Sequence, residues 1–109
     1  MNWKVSFIPE ARWDLMTIEE SQQLLIRKAI AKVSANPLPQ NKGGYGKPLG
    51  SKNASDLSGF LKIKLKSSGL RVVYKLIRTG NEMIIVIIGV RDSNKVYSEA
   101  AARIKKHDL

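Results

Sequence analysis

Phe60-Leu61-Lys62-Ile63-Lys64-Leu65-Lys66, then Ser67-Ser68-Gly69, then Leu70-Arg71-Val72-Val73-Tyr74-Lys75-Leu76-Ile77 is the stretch that decides the fold. Its first part alternates without exception. Leu61, Ile63 and Leu65 project to one side of an extended chain, and Lys62, Lys64 and Lys66 to the other. Ser67-Ser68-Gly69 is a short connection of turn-forming residues, so the two runs read as a β-hairpin. In the second run Leu70, Val72, Tyr74 and Leu76 share one face and leave Arg71, Val73 and Lys75 on the other. After Thr79-Gly80-Asn81, residues 83–90 (Met-Ile-Ile-Val-Ile-Ile-Gly-Val) are apolar on both faces, as in a central strand covered on both sides. A third antiparallel strand is therefore expected there.

Working outward, Trp3-Lys4-Val5-Ser6-Phe7 alternates like a half-buried strand, and Pro9 bars its continuation. One helix is expected from near Glu10. A second should follow Thr17, whose hydroxyl together with Glu20 matches a capping box. Leu25, Ala29 and Val33, joined by Ile18, Ile26 and Ile30, recur at helical spacing until Asn36-Pro37 ends the run. Residues 37–59 carry three of the four prolines and most of the glycines, which predicts a long ordered loop with Leu49 turned inward. It is no phosphate loop, because Lys47 is followed by Pro48 where a Walker motif requires Ser or Thr at the mouth of a helix. Arg91 closes the last strand, a polar turn leads to Tyr97, and residues 98–106 have helical composition with Ala101 and Ile104 on one side. Trp3 and Trp13 are assigned to the core. The expected fold class is α+β: an antiparallel sheet of about four strands, two N-terminal helices on one face, and a short C-terminal helix, all in a single domain over residues 1–109.

The chain has 109 residues, enough for one core burying roughly 60 to 70% of the unfolded surface. Lys and Arg number 19 against 9 Asp and Glu, a formal charge of +10 that points to nucleic acid, an anionic membrane or an acidic protein as partner. Cysteine is absent, so disulfides and thiolate zinc sites are excluded. The N-terminus lacks the layout of a secretory signal, and the apolar run at 83–90 is far short of the roughly 20 residues of a membrane helix. A cytoplasmic location without membrane attachment is the expectation.

Most catalytic sets can be struck off. His107 is the one histidine, placed in an expected frayed tail, so no triad, histidine-pair ribonuclease site or histidine metal cluster is available. Glu19 and Glu20 are adjacent on a helix and diverge, and Asp92 and Glu99 have no partner at metal-binding spacing. What remains is basic. Between Asp56 and Glu82 no acidic residue occurs, whereas Lys62, Lys64, Lys66, Arg71, Lys75 and Arg78 do. By charge alone this is a solvated sheet face or an RNA-binding patch. Lysines alternating on one strand beside an arginine on its partner can also converge on a single phosphate, which makes an active site the sharper reading.

Residues 62–74, Arg91, and Val96-Tyr97-Ser98-Glu99-Ala100 together resemble the RelE toxin family in its ribosome-dependent messenger RNA interferase branch. The resemblance is close over about half the chain; the N-terminal strand and two helices agree in order only. It implies a type II toxin that cuts messenger RNA in the ribosomal A site by 2′-hydroxyl attack, leaving a 2′,3′-cyclic phosphate, without metal or other cofactor. The site residues it implies are Lys62, Lys64 and Arg71 around the scissile phosphate, Arg91 supporting the leaving group, and Tyr97 activating the ribose hydroxyl. Lys66 and Lys75 on the same sheet face, with Lys105 and Lys106 near the end of the chain, are candidates for further RNA contacts. The implied partners are the ribosome with its messenger and ribosomal RNA, and an acidic RelB-like antitoxin. Binding of operator DNA is expected only of the toxin–antitoxin complex. Two alternatives share the fold: a ParE-like gyrase inhibitor, which usually lacks this basic set, and a non-catalytic RNA-binding relative in which Tyr97 merely packs or stacks.

Overall fold

The computed structural model describes residues 2–52, 55–65, 68–90 and 95–109. The elements run β1 (Lys4–Phe7), α1 (Pro9–Thr17), α2 (Glu20–Ser34), a 3-10 turn at Gln40–Lys42, β2 (Lys47–Lys52), β3 (Ser55–Leu65), β4 (Leu70–Ile77), β5 (Glu82–Val90) and α3 (Lys95–Lys106). They build an α+β unit around one five-stranded sheet in the order β1-β5-β4-β3-β2.

The alternating segments form the expected hairpin. Leu61 pairs with Tyr74, Lys62 with Val73, Ile63 with Val72 and Lys64 with Arg71. Gly69 turns the chain at φ +72°, a left-handed conformation that glycine adopts without steric penalty. Strand β5 is internal, as its two apolar faces require, with β4 antiparallel on one side and β1 on the other. Met83 and residues 85–88 are all buried.

Several expectations need correction. The sheet is mixed, because β1 lies parallel to β5, with Lys4 opposite Glu82 and Phe7 opposite Ile85. The hairpins β3-β4-β5 leave one long edge of β5 open, and the N-terminal strand fills it. A fifth strand, β2, lies inside the segment read as loop. It escapes period-two reading because it is an edge strand containing Pro48 and a bulge at Gly50, where φ is +70°. Leu49 is nonetheless buried as anticipated. Strand β3 begins at Ser55, five residues before the strict alternation.

The helices also divide between the two faces. Tyr74 shares its face with Leu61 and donates its phenol hydrogen to the Pro37 carbonyl just past α2 (2.8 Å). On the other face α3 meets Lys62 through Tyr97, and its Val96 lies over Gly89, where an added Cβ would come within 2.7 Å of Val96 Cγ2.

Within the helices, α1 buries Ala11 and Leu15, four residues apart; Trp13 sits two residues from each, turned about 200° away, and is 67% exposed rather than core. Trp3 is partly buried against the core. Helix α2 buries Ile26, Ile30 and Val33, a stripe too narrow to include Leu25, which is exposed. The capping box does not form. Glu20 occupies the first helical position rather than the third, Glu19 precedes it, and the Thr17 hydroxyl bonds back to the Asp14 carbonyl (3.1 Å).

Candidate active site

Cross-strand pairing brings Lys62, Lys64 and Arg71 onto one face of β3 and β4. The side chains differ in exposure: Lys64 is exposed, Lys62 half-buried, and Arg71 only 8% exposed. A guanidinium withdrawn from water normally faces a carboxylate. Here the ion pairs among the described residues all belong to Arg103, Lys106 and His107, and none includes Lys62 or Arg71. Lys62 and Arg71 thus bring two positive charges together with no carboxylate paired to either among the described residues.

Into it α3 projects Tyr97 from its first turn. The Lys62 ammonium donates to the Tyr97 phenol oxygen at 3.3 Å and also lies 5.7 Å from the centre of its ring. Partial burial of Tyr97 opposes ionisation. The hydrogen bond and charge of Lys62, reinforced by Arg71, outweigh that effect and hold its pKa below the ordinary phenol value. The anionic form of this phenol is favoured by the cations beside it.

The position of Tyr97 is set by contacts that no sequence pattern announces. Arg103, six residues further along α3, makes a two-point ion pair with Asp14 of α1 (2.6 and 3.2 Å). The same guanidinium donates to the Val86 carbonyl (3.1 Å), and Asp14 accepts from the Ile88 amide (3.1 Å). These backbone groups lie on β5 beyond Ile85, the last residue paired with β1, so two side chains take over where the strand stops. Glu99 adds a longer contact to Arg103 (3.5 Å).

The other candidates are distributed as follows. Lys75 shares the basic face, but its ammonium donates to the Leu109 carbonyl and lies over the Phe60 ring, apart from Tyr97. Lys105 and Lys106 are exposed in the last turn of α3, with Lys106 bonded to Glu10 (2.9 Å). His107 is not frayed: its ring contacts Glu10 at 2.8 Å. Lys66 and Arg91 lie outside the described residues. Among the described residues, no three His, Asp or Glu side chains come together as a metal site, and no helix is long and apolar enough to cross a membrane.

No protein-family model matches the chain. A 43-residue segment, 39% of the chain, is 46% identical to the mRNA interferase toxin RelE of Escherichia coli strain K12, and the match spans 45% of that relative's length. Across nearly the whole fold, the structure superposes on a mutant E. coli RelE toxin solved in the free state. The TM-score is 0.74 at 25% identity, covering 95% of this chain and 99% of that one. The fold is also that of a chain in a toxin–antitoxin complex from Mycobacterium tuberculosis, with a TM-score of 0.66 at 20% identity over 84% of this chain and 95% of that one.

Proposed function

We propose that the chain is a RelE-type toxin, the toxin of a type II toxin–antitoxin system, and that it cuts messenger RNA in the ribosomal A site. The observation that carries this reading is the Tyr97 phenol held by Lys62 beside buried Arg71, with no carboxylate paired to either cation among the described residues.

The 2′-hydroxyl of the ribose attacks the adjacent phosphorus, the bond to the 5′-oxygen of the next nucleotide breaks, and a 2′,3′-cyclic phosphate remains. Negative charge builds on the non-bridging oxygens as the new bond forms. Lys62, Lys64 and Arg71 stabilise it, most effectively where Arg71 is withdrawn from solvent. Tyr97 takes the 2′-hydroxyl proton, and its lowered pKa increases the fraction of enzyme ready to do so. Arg91 supports the departing oxygen, the role implied by the family resemblance. No step calls on a metal ion.

Two partners belong to this proposal. The ribosome presents the message, and phosphate contacts from a chain of charge +10 suit its RNA. An acidic, partly disordered antitoxin of the RelB type would cover the basic face and fold as it binds.

The test is cleavage of a defined message on programmed ribosomes by wild type, Tyr97→Phe and Arg91→Ala, with and without EDTA. Cuts within the A-site codon, insensitive to EDTA and lost in the variants, are expected. Intact message with folded wild-type protein, accompanied by inhibition of gyrase supercoiling, would replace this reading with the ParE-like one.

A further inference from the structure

A second feature adjoins the candidate active site on the far side of Lys62. A cavity of about 390 Å³ opens where β3 runs on past Lys62, the last residue it pairs with β2. Lys32, Lys47, Lys62 and Lys64 line it together with Gln40 and Tyr45, over an apolar floor from α2 and β3. No carboxylate among the described residues lines it. Lys62 therefore belongs both to this cavity and to the Tyr97 cluster.

Tyr45 is 50% exposed, and its ring lies under the Lys32 ammonium at 5.7 Å. An aromatic in a glycine-rich loop would ordinarily be mobile, but this loop is tied at every turn. The Tyr45 amide donates to the Asn36 carbonyl (2.9 Å), Gly44 to Pro39 (3.1 Å), Gly46 to Leu38 (3.0 Å), and the Asn36 side chain to the Gly43 carbonyl (3.2 Å). The glycines on either side cannot be replaced without displacing the loop. A Cβ at Gly44 would lie 2.0 Å from the Leu38 carbonyl oxygen, and one at Gly46 would lie 2.2 Å from the Tyr74 hydroxyl. Tyr45 is thus a fixed, solvent-facing ring beside four lysines.

We infer that this cavity binds a nucleotide flanking the scissile phosphate in single-stranded RNA, its base stacked on Tyr45 and its phosphate held by Lys47 and Lys32. A base has an extended π-face and its phosphate a negative charge, and a rigid aromatic among cations meets both needs. The inference rests on the ribonuclease reading for the identity of the chain that enters. It deepens that reading by giving the RNA a direction, from the Tyr97 cluster across Lys62 to Tyr45.

The test separates binding from cleavage. A short single-stranded RNA with 2′-O-methyl sugars cannot be cut; carrying 2-aminopurine, it reports stacking by its fluorescence. Tyr45→Leu is expected to weaken binding about ten-fold and abolish the quenching, whereas Tyr45→Trp retains both. Lys47→Ala should reduce the steepness with which affinity falls as salt rises. On programmed ribosomes the Tyr45→Leu effect should fall on KM. An unchanged melting temperature in Tyr45→Leu excludes loss of the loop as the cause. If wild type cuts no message yet Tyr45-dependent binding persists, the cleavage reading fails and the subsite stands. Wild-type affinity in folded Tyr45→Leu overturns the subsite. So does a loss confined to binding of an acidic Glu- and Asp-rich peptide, which would make the cavity a protein contact.

Discussion

Helix α3 meets the rest of the protein in two polar regions built on opposite principles. Around Arg103 every charge is answered: the guanidinium faces Asp14 and a backbone carbonyl, and Asp14 accepts a backbone amide in turn. Around Tyr97, Lys62 and buried Arg71 face a phenol, with no carboxylate paired to either among the described residues. A charge-balanced, hydrogen-bonded cluster holds elements in place and invites no ligand. A cluster of one sign, partly desolvated, is unfavourable until an anion arrives. The same helix thus carries its anchor and the proposed catalytic phenol six residues apart, and substitution should separate the two roles.

The largest effect is expected at Tyr97. Tyr97→Phe removes the ionisable oxygen while keeping the ring, so cleavage on ribosomes should fall by about 10²- to 10⁴-fold with the urea midpoint unchanged. A matching loss of stability would mean that the phenol is an anchor like Arg103, and the contrast would collapse. Arg103→Ala should do the reverse. It strands a largely buried carboxylate and a strand carbonyl, and a loss of about 3 to 5 kcal/mol in equilibrium unfolding is expected. Removing Asp14 as well should not restore stability, because Val86 and Ile88 would then both lack partners. A double variant as stable as wild type would show that the strand edge does not depend on this pair.

The two regions were unequally legible in the sequence, for a physical reason. Lys62, Lys64 and Arg71 follow from period-two alternation across a short turn, so their shared face could be read locally, and the family resemblance added Tyr97. Asp14 and Arg103 are 89 residues apart and ordinary in their local helices; their meeting depends on where β1 stops along β5, which only the assembled sheet determines. The parallel pairing of β1 escaped for the same cause. Strand β2 was missed because Pro48 and Gly50, read as loop residues, also suit a bulged edge strand. Trp13 is misplaced because residue type was weighed over angular position, and Leu25 because the apolar stripe at helical spacing is wider than the one α2 buries. Tyr45 lay in plain view, but nothing local showed that its loop would be tied against the lysines of another strand.

A smaller effect should sharpen the electrostatic half of the comparison. Burial alone would raise the Tyr97 pKa, so its lowered value depends on Lys62 and Arg71. Lys62→Met removes the hydrogen bond and one charge, and ultraviolet titration of the phenol should move upward in pH. The alkaline rise of cleavage rate should move with it, since the reactive phenolate then forms only at higher pH. Titration at the wild-type pH in the variant would assign the shift to another cation.

The smallest effect belongs to the outer end of α3, where charges are balanced but open to water. Glu10 receives hydrogen bonds from Lys106 and from a backbone amide and faces His107, and these hold its pKa at about 2 against an ordinary 4.5. A carboxylate whose folded pKa is depressed stabilises the fold above its unfolded pKa, and that contribution fades as acid protonates it. Wild type should therefore lose stability between pH 4.5 and about 2 more steeply than Glu10→Gln, and the two curves should run parallel above that window. Unfolding midpoints measured from pH 6 to pH 2 would show it. Because Glu10 lies at the far end of α3 from Tyr97, cleavage at neutral pH should be insensitive to the change. Identical acid limbs would mean that solvent screening cancels this contact, leaving Arg103 as the anchor that fixes α3 to the sheet edge.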